Sequence, residues 1–329
     1  MSKKEPLLTD VPIVSAEHLR SDNLRIRAAA QVLLDYGLRD IGFVFLKVNW
    51  SRPYLLSQGY GHYRDFFRDE YGNKHKKALH RPDLFHQRGW TPPLTERAID
   101  APSADRKECL FFGPELPTDH PYKKEFPIHY HNNLWPGEKY FPGFRRTTLE
   151  IYNELSAMAD TIVMTLEQHF GLPRFSWQPD LIKDAPSTMR VLYYPRARLG
   201  TEMIWGGAHK DLNLITLLPP ATRNGLFAKR RDGEWMAINC PKNCVVVQCG
   251  NMLEYLTGGE YLSAEHEIRA QIGTDPRLAI AYFAHVKPEI ILEPLPRFMN
   301  DEVRKKYPPI RAIDFTNKRL EDIKLAKKY

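Results

Sequence analysis

Short segments in which apolar residues alternate with polar ones, or run without interruption, recur along the chain and predict a protein built mainly of β-strands. These segments are residues 11–14, 41–46, 188–195, 214–218, 244–249 and 277–283. The two-residue period of the third segment places Arg190, Leu192 and Tyr194 on one face of its strand. Because an unpaired buried charge is costly, a core-facing Arg190 would require a partner.

A three-to-four-residue spacing of apolar positions predicts helices near the beginning, in the middle and at the end of the chain. The first helix would start at Ser21 or Asp22 and end at Gly37. It carries an apolar stripe along one face, formed by Leu24, Ala28, Val32 and Tyr36. The longest helix would cover Arg145–Phe170, and a final helix would start at a Thr316 cap.

Composition and charge are those of an ordinary soluble globular protein. The chain has 329 residues and a formal net charge of +7, which could attract an anionic partner. Lysine and arginine are scattered, however, and the lysine-rich C-terminus supplies part of the excess, so a nucleic-acid partner is not expected. An anionic small molecule fits this charge better.

The cysteines and the N-terminus bear on the compartment in which the protein works. The four cysteines include no Cys-x-x-Cys pair, so they predict neither a zinc site nor a disulfide framework. The N-terminus lacks the apolar segment of a secretory signal, and no apolar run is long enough to cross a membrane. We therefore expect a cytoplasmic protein with no membrane partner.

Three side chains carry the candidate chemistry. His209 and Asp211 are two residues apart beside an apolar strand, so both point the same way, and His266 precedes another such strand. Two imidazoles and one carboxylate on one side of an ion form the facial arrangement of non-haem Fe(II) oxygenases. A His-x-Asp pair alone is common, and could be a surface histidine followed by a capping aspartate. Arg277, eleven residues after His266, suits a clamp for a carboxylate.

Taken together, these motifs resemble a known enzyme family. The segments GAHKDLNLITLL (Gly207–Leu218), CVVVQCGNMLEYLTGGEYLSAEHEI (Cys244–Ile268) and RLAIAYF (Arg277–Phe283) are similar to the Fe(II)/2-oxoglutarate dioxygenases of the isopenicillin N synthase-like family. The resemblance covers most of the chain. It implies a mainly β fold with flanking helices around a double-stranded β-helix, the jelly-roll or cupin-like core.

The same resemblance implies how the chain is organised. A single catalytic domain would span residues 1–329, with a helical and loop-rich N-terminal part, 1–175, packed on the core. The core would occupy 185–290, and 291–329 would form a C-terminal tail and helix. Within the N-terminal part, residues 72–143 show little periodicity and predict long loops. The resemblance implies that this region closes over the substrate.

For function, the resemblance implies an oxygenase that hydroxylates or otherwise oxidises a small molecule and releases succinate and carbon dioxide. Fe(II) would be held by His209, Asp211 and His266, and Arg277 would anchor 2-oxoglutarate, with dioxygen as the second co-substrate. Tyr194 and Arg190 match residues that contact bound acids in relatives, although Arg190 could equally form a structural ion pair. The substrate is expected to be acidic, such as an amino acid or peptide-like metabolite.

One departure from the family pattern keeps alternatives open. Many members have Arg-x-Ser on the co-substrate strand, whereas this chain has Ala279 in place of the serine. Bacterial ethylene-forming oxygenases share the Arg-x-Ala pattern, so ethylene formation is one alternative. An isopenicillin N synthase-type oxidase that does not use 2-oxoglutarate is a second, and a non-catalytic cupin-like binding protein is a third.

Overall fold

The strands and helices below come from a computed structural model that describes residues 11–68, 74–96, 104–173, 177, 180–196, 204–270 and 275–322. Strands β1 to β14 are Ile13–Ser15, Phe43–Lys47, Gly89–Thr91, Glu108–Phe112, Thr188–Tyr194, Ile204–His209, Ile215–Leu218, Leu226–Lys229, Trp235–Ala237, Cys244–Cys249, His266–Arg269, Arg277–Ala284, Ile291–Leu292 and Ile310–Arg311. Helices α1 to α9 are Ala16–Leu19, Leu24–Tyr36, Leu55–Phe67, Lys74–Ala78, Pro121–Glu125, Phe144–His169, Asn251–Leu256, Asp301–Lys306 and Ala312–Asp322.

Two sheets face each other and form a jelly roll, as the sequence predicts. The larger sheet has the order β1-β2-β10-β7-β12-β5-β4-β3, and the smaller has the order β6-β11-β8-β9. From β5 to β12 the chain passes repeatedly from the larger sheet to the smaller one and back. This alternation is the winding of a double-stranded β-helix. Strands β13 and β14 form a separate pair.

The two-residue period of the strands divides the core into two layers. On β2, Phe43 and Phe45 lie between the sheets, whereas Val44 and Leu46 pack under the helices. The alternation predicted for β5 is confirmed in the same way, because Leu192 belongs to the core between the sheets. The larger sheet is therefore apolar on both faces, which explains why its strands read as uninterrupted apolar runs.

Helix α6 covers the outer face of the larger sheet and lies within one residue of its predicted bounds. Its buried side chains recur at helical spacing, and Tyr152 meets Tyr282 of β12 edge to face at 5.2 Å. The helix ends at His169, and two residues later Gly171 has φ +68°. The amide of Leu172 donates to the carbonyl of Glu167 at 3.1 Å, which gives the glycine-terminated geometry expected at a helix C-terminus.

Helix α2 was predicted at the correct place but with the wrong cap and the wrong buried side. Its cap is Asn23, whose side chain accepts from two backbone amides of the first turn. The predicted apolar stripe is exposed: Leu24 is 70% exposed and Val32 is 62% exposed. Ala30 and Leu34 are buried instead.

The rotation of α2 is set by a buried carboxylate. Asp35 accepts a hydrogen bond from Tyr261, and it lies 3.2 Å from Arg39 and 3.2 Å from His169. Because a buried charge must keep its partners, this cluster turns the Asp35 side of the helix inward. The apolar stripe on another side is then left facing solvent.

Two further predictions were wrong in part. Residues 72–143 are not only loops, because β3 and β4 extend the larger sheet beyond β5, and Leu110 on β4 pairs with Val191. The last helix begins at Ala312, so Thr316 is inside it and donates its hydroxyl to the Ala312 carbonyl at 2.9 Å. Among the described helices, none has the length and apolar character needed to cross a membrane.

The observed orientation of α2 can be tested with two leucine truncations. Leu34→Ala should lower the free energy of unfolding by about 2–5 kcal/mol, because the side chain is only 1% exposed and its loss leaves a cavity. Leu24→Ala, on the exposed stripe of the same helix, should change it by less than about 0.5 kcal/mol. Urea denaturation of both variants measures the difference, and equal losses would contradict the orientation.

Candidate metal centre and adjoining cavities

Strand pairing and a crossover bring three candidate ligands together. His209 is the last residue of β6 and lies directly opposite His266, the first residue of β11. Asp211 follows two residues after His209, in the connection that leads to β7 in the other sheet. Its Oδ1 atom is 3.7 Å from Nε2 of His209 and 3.8 Å from Nε2 of His266. The three ligand atoms could therefore coordinate one cation from one side.

Both histidines are oriented by backbone carbonyls. Nδ1 of His209 is 2.7 Å from the Gly207 carbonyl oxygen, and Nδ1 of His266 is 3.1 Å from that of Ala264. These contacts require a proton on Nδ1, which leaves the lone pair of each Nε2 directed at the common centre. Burial, and then the neighbouring His266, lower the pKa of His209 to about 4, so its imidazole is neutral near pH 7.

Asp211 is held by partners that sequence reasoning missed. Its Oδ2 atom accepts from Thr216 Oγ1 at 2.6 Å and from the side-chain amide of Gln248. Burial opposes ionisation, but the two imidazoles and these hydrogen bonds outweigh it and lower the pKa of Asp211. The arrangement reserves Oδ1 for an ion. The only sequence signal was a polar residue within each of two otherwise apolar strands.

The backbone around Asp211 is fixed as closely as its side chain. The amide of Asn251 donates to the Asp211 carbonyl at 2.8 Å, and the amide of Gly250 donates to Leu214 at 3.0 Å. A Cβ atom at Gly250 would lie 2.0 Å from the Asn213 carbonyl oxygen, so only glycine permits this approach. The residues that follow β10 therefore fix the backbone position of the candidate ligand Asp211.

A small cavity of about 120 Å³ runs from the three candidate ligands to Arg277. Arg277 is 5% exposed, its Nε donates to the Arg223 carbonyl at 3.0 Å, and its guanidinium lies 5.1 Å from the ring centre of Tyr194. Its Nη1 has no hydrogen-bond partner among the described residues. A buried guanidinium with a free donor favours an anionic ligand. Ala279, the position that lacks the family serine, also lines this cavity.

A larger cavity of about 500 Å³ opens on the other side of the candidate ligands. Helix α9 forms part of its wall through Thr316, Arg319 and Leu320. Arg190 and Phe283 border both cavities. The candidate metal centre thus lies where a small cavity that contains a buried guanidinium meets a larger cavity, so two bound molecules could reach one ion.

Arg190 forms the ion pair that one sequence interpretation allowed. Its Nη1 lies 3.1 Å from Oε2 of Glu96, and its guanidinium is 4.1 Å from the ring centre of Phe111. Lys107 also approaches Glu96, at 3.0 Å, and pairs with Asp105. Sequence reasoning missed these three charged residues, because they lie in the aperiodic part of the chain and no motif marks them.

Protein-family models match two parts of the chain. The family model of the 2OG-Fe(II) oxygenase superfamily matches residues 185–286. A second model, described as the N-terminal part of non-haem dioxygenases in morphine synthesis, matches residues 11–138. A 2-oxoglutarate-Fe(II) type oxidoreductase of Aspergillus fumigatus is 30% identical over 243 residues, which cover 71% of this chain and 70% of that protein.

Solved structures share the fold along nearly the whole chain. A 2OG-Fe(II) oxygenase family protein from Caulobacter crescentus superimposes with a TM-score of 0.82 at 28% identity, covering 96% of this chain and 100% of that one. A full-length Neurospora crassa protein, crystallised in complex with alpha-KG and thymine, gives a TM-score of 0.81 at 20% identity, covering 96% and 99%. At that lower identity, the likeness concerns the fold alone.

The support of Asp211 can be tested through metal affinity. Thr216→Val removes a hydroxyl that fixes the carboxylate, so we expect the dissociation constant for Mn(II) to rise by about 10- to 100-fold. Loss of the EPR signal of free Mn(II) measures binding without any turnover. Thr165→Val is the matched control, because Thr165 is buried in α6 away from the site. Unchanged Mn(II) affinity in Thr216→Val would contradict this role.

Proposed function

The chain belongs to the 2OG-Fe(II) oxygenase superfamily, and from that premise we propose which of its residues perform the reaction. The protein is an Fe(II)/2-oxoglutarate-dependent dioxygenase, an oxidoreductase that uses dioxygen, oxidises a small molecule and releases succinate and carbon dioxide. When bound, Fe(II) supplies the redox chemistry that couples decarboxylation of 2-oxoglutarate to oxidation of the substrate. Everything else depends on how the protein positions the reactants.

We propose that His209, Asp211 and His266 hold Fe(II). The supporting observation is the convergence of one carboxylate oxygen and two imidazole nitrogens within 4.8 Å of one another. The hydrogen-bonded Nδ1 atoms keep both imidazoles in the coordinating tautomer. Ligands on one side only leave the opposite side free for 2-oxoglutarate and dioxygen.

The observation that best supports the co-substrate assignment is the small cavity with a buried cation at its far end. We propose that Arg277 pairs with the distal carboxylate of 2-oxoglutarate, with Tyr194 beside it. Arg277 and Tyr194 are direct partners across β12 and β5, so the strand register keeps them together. Arg190 borders both cavities, which supports a place between the co-substrate and the substrate.

Visible absorption of the anaerobic protein tests the ligand set and the co-substrate together. Fe(II) titrated with 2-oxoglutarate should give a new charge-transfer band in the wild type and none in His209→Ala, which lacks a ligand. Iron binding without the band would instead favour an oxidase that does not use 2-oxoglutarate. No iron binding would contradict the assignment of all three ligands.

The same titration tests Arg277. Arg277→Gln should keep iron binding but weaken the binding of 2-oxoglutarate by about 2–5 kcal/mol, because a buried carboxylate would lose its charged partner. The dissociation constant for 2-oxoglutarate should therefore rise roughly 30-fold or more. Arg223→Gln is the control, since Arg223 lines the same cavity but its side chain is 43% exposed and pairs with Asp275. Equal losses in both variants would argue for a general charge effect.

We propose that the substrate is acidic, because the opening of the larger cavity carries loosely paired cations. Lys210 lies 3.5 Å from Glu254, and Arg319 lies 3.6 Å from Asp322. The carboxylate at the same opening, Glu265, is paired more closely, at 3.0 Å from Lys229. The two cations therefore keep more capacity to bind an anion than the carboxylate keeps to repel it.

Two neighbouring charges on α9 provide a matched test of the acidic substrate. Small carboxylic acids and their amides would be screened by succinate release, and acids should be preferred. Arg319→Gln should raise KM for the best acid by about fivefold, as expected for loss of a partly exposed ion pair. Lys318→Gln removes the same charge from an exposed position of the helix outside the cavity and should change KM by less than about twofold. A preference for amides would contradict the proposal.

We propose that residues 1–329 form a single catalytic domain with its core at 185–290. Strand β2 from the N-terminal part pairs with β10 of the core, and α9 from the C-terminal part lines the larger cavity. We also propose that the protein works in the cytoplasm. All four cysteines are free thiols, which is typical of a reducing compartment. Imaging of a tagged protein in its own cell checks this location.

A further inference from the structure

We propose that the inner wall of the larger cavity recognises an amide, lactam or imide edge of the substrate, a polar N–H next to a C=O, through Glu96 and Arg190. This inference rests on the proposed function, because it assigns the larger cavity to the substrate. It adds a neutral hydrogen-bonding group to the acidic group that the cations at the opening would bind.

The first observation is a pair of unsatisfied atoms on one ion pair. Glu96 and Arg190 are joined through Oε2 and Nη1 at 3.1 Å, and both side chains line the cavity. Within the described part of the chain, Oε1 of Glu96 and Nε of Arg190 are buried and have no hydrogen-bond partner. Buried polar atoms are costly when they stay unpaired, so a ligand or an ordered water must satisfy them.

The chemistry of these two atoms defines the partner. Arg190 and Lys107 outweigh the effect of burial and hold the pKa of Glu96 at about 2, so its carboxylate is ionised. An ionised carboxylate can only accept a hydrogen bond, and a guanidinium can only donate one. A ligand that satisfies both atoms must therefore present a donor beside an acceptor. Primary and secondary amides, N–H lactams and imides have this edge, whereas esters and tertiary amides lack the donor.

Charge balance excludes a charged partner at this wall. Glu96 and Asp105 bring two negative charges, and Lys107 and Arg190 bring two positive ones, so the four groups are neutral as a set. A second anion or cation placed here would remain uncompensated in a buried site. A neutral hydrogen-bonding group is the better match, which distinguishes this wall from the cationic opening of the same cavity.

Aromatic rings beside the pair favour a planar group. The Arg190 guanidinium lies 4.1 Å from the ring centre of Phe111 and 5.5 Å from that of Phe283, and both rings line the cavity. A flat amide or lactam can pack against such rings while its edge reaches the polar atoms. The substrate class is thus a small planar amide, lactam or imide that also carries an acidic group.

Binding of matched probes to the anaerobic protein loaded with Fe(II) and 2-oxoglutarate tests the proposal. The N–H probes are uracil, hydantoin and 2-pyridone, and the controls are their fully N-methylated forms, 1,3-dimethyluracil, 1,3-dimethylhydantoin and N-methyl-2-pyridone. Isothermal titration should show at least one N–H probe binding tenfold or more tightly than its methylated form. Equal binding of the two forms, or no binding of any N–H probe, would overturn the proposal without need of a variant.

Two variants locate the preference. In Glu96→Gln the amide NH₂ replaces the free acceptor, so the preference for N–H over N-methyl should disappear. Glu265→Gln removes a carboxylate from the outer part of the same cavity and should leave the preference intact. A preference that persists in Glu96→Gln would overturn the assignment. The charge-transfer band distinguishes failure of the proposed function from failure of this inference. If the wild type shows no band, the proposed function is overturned. If the band appears without selectivity for N–H probes, only this inference is overturned.

Discussion

The register between β6 and β11 places His209 directly opposite His266, and the functional arrangement depends on that pairing. Side chains of directly opposed residues point to the same face of a sheet, and the two imidazole centres are 4.4 Å apart. A slip of one residue would turn one histidine to the outer face. Immediately after His209 the chain leaves the smaller sheet for the larger one, and this crossing carries Asp211. The candidate metal centre is therefore a consequence of topology, because it forms where the chain crosses from the smaller sheet to the larger one.

The two arginines of the site show how partners decide the role of a charge. Arg190 and Arg277 lie on neighbouring strands of the larger sheet and both reach the interior. Arg190 has Glu96 as an ion-pair partner, so its side of the site is electrically balanced. Arg277 contacts a backbone carbonyl and Tyr194 but pairs with no carboxylate among the described residues, so its charge remains available to a ligand. The same residue type thus forms a charge-balanced pair on one side of the site and leaves an uncompensated positive charge on the other.

Periodicity and residue spacing predicted the features that depend on local order. The alternation of β5, the extent of α6 and the approach of His209 to Asp211 all follow from residues close in sequence. Features that depend on distant partners were missed. Tyr261 and His169 contact Asp35 and so set the orientation of α2, and neither residue is near that helix in the sequence. Likewise, Gln248 supports Asp211 from β10, and a glutamine in an apolar run does not reveal which side chain it will meet.

Strand β2 has consequences for the order in which the chain can mature. It is apolar on both faces, and on one edge it pairs with β1, which the ribosome delivers earlier. Its other edge stays unpaired until β10 is available, and β10 is synthesised only after most of the polypeptide has emerged. Until then a nascent chain exposes an unpaired apolar strand edge, which is prone to aggregation and is the kind of surface that chaperones bind. The dependence is mutual, because removing β2 would leave one edge of β10 unpaired. A fragment that lacks the N-terminal strands would therefore carry an exposed sheet edge of its own.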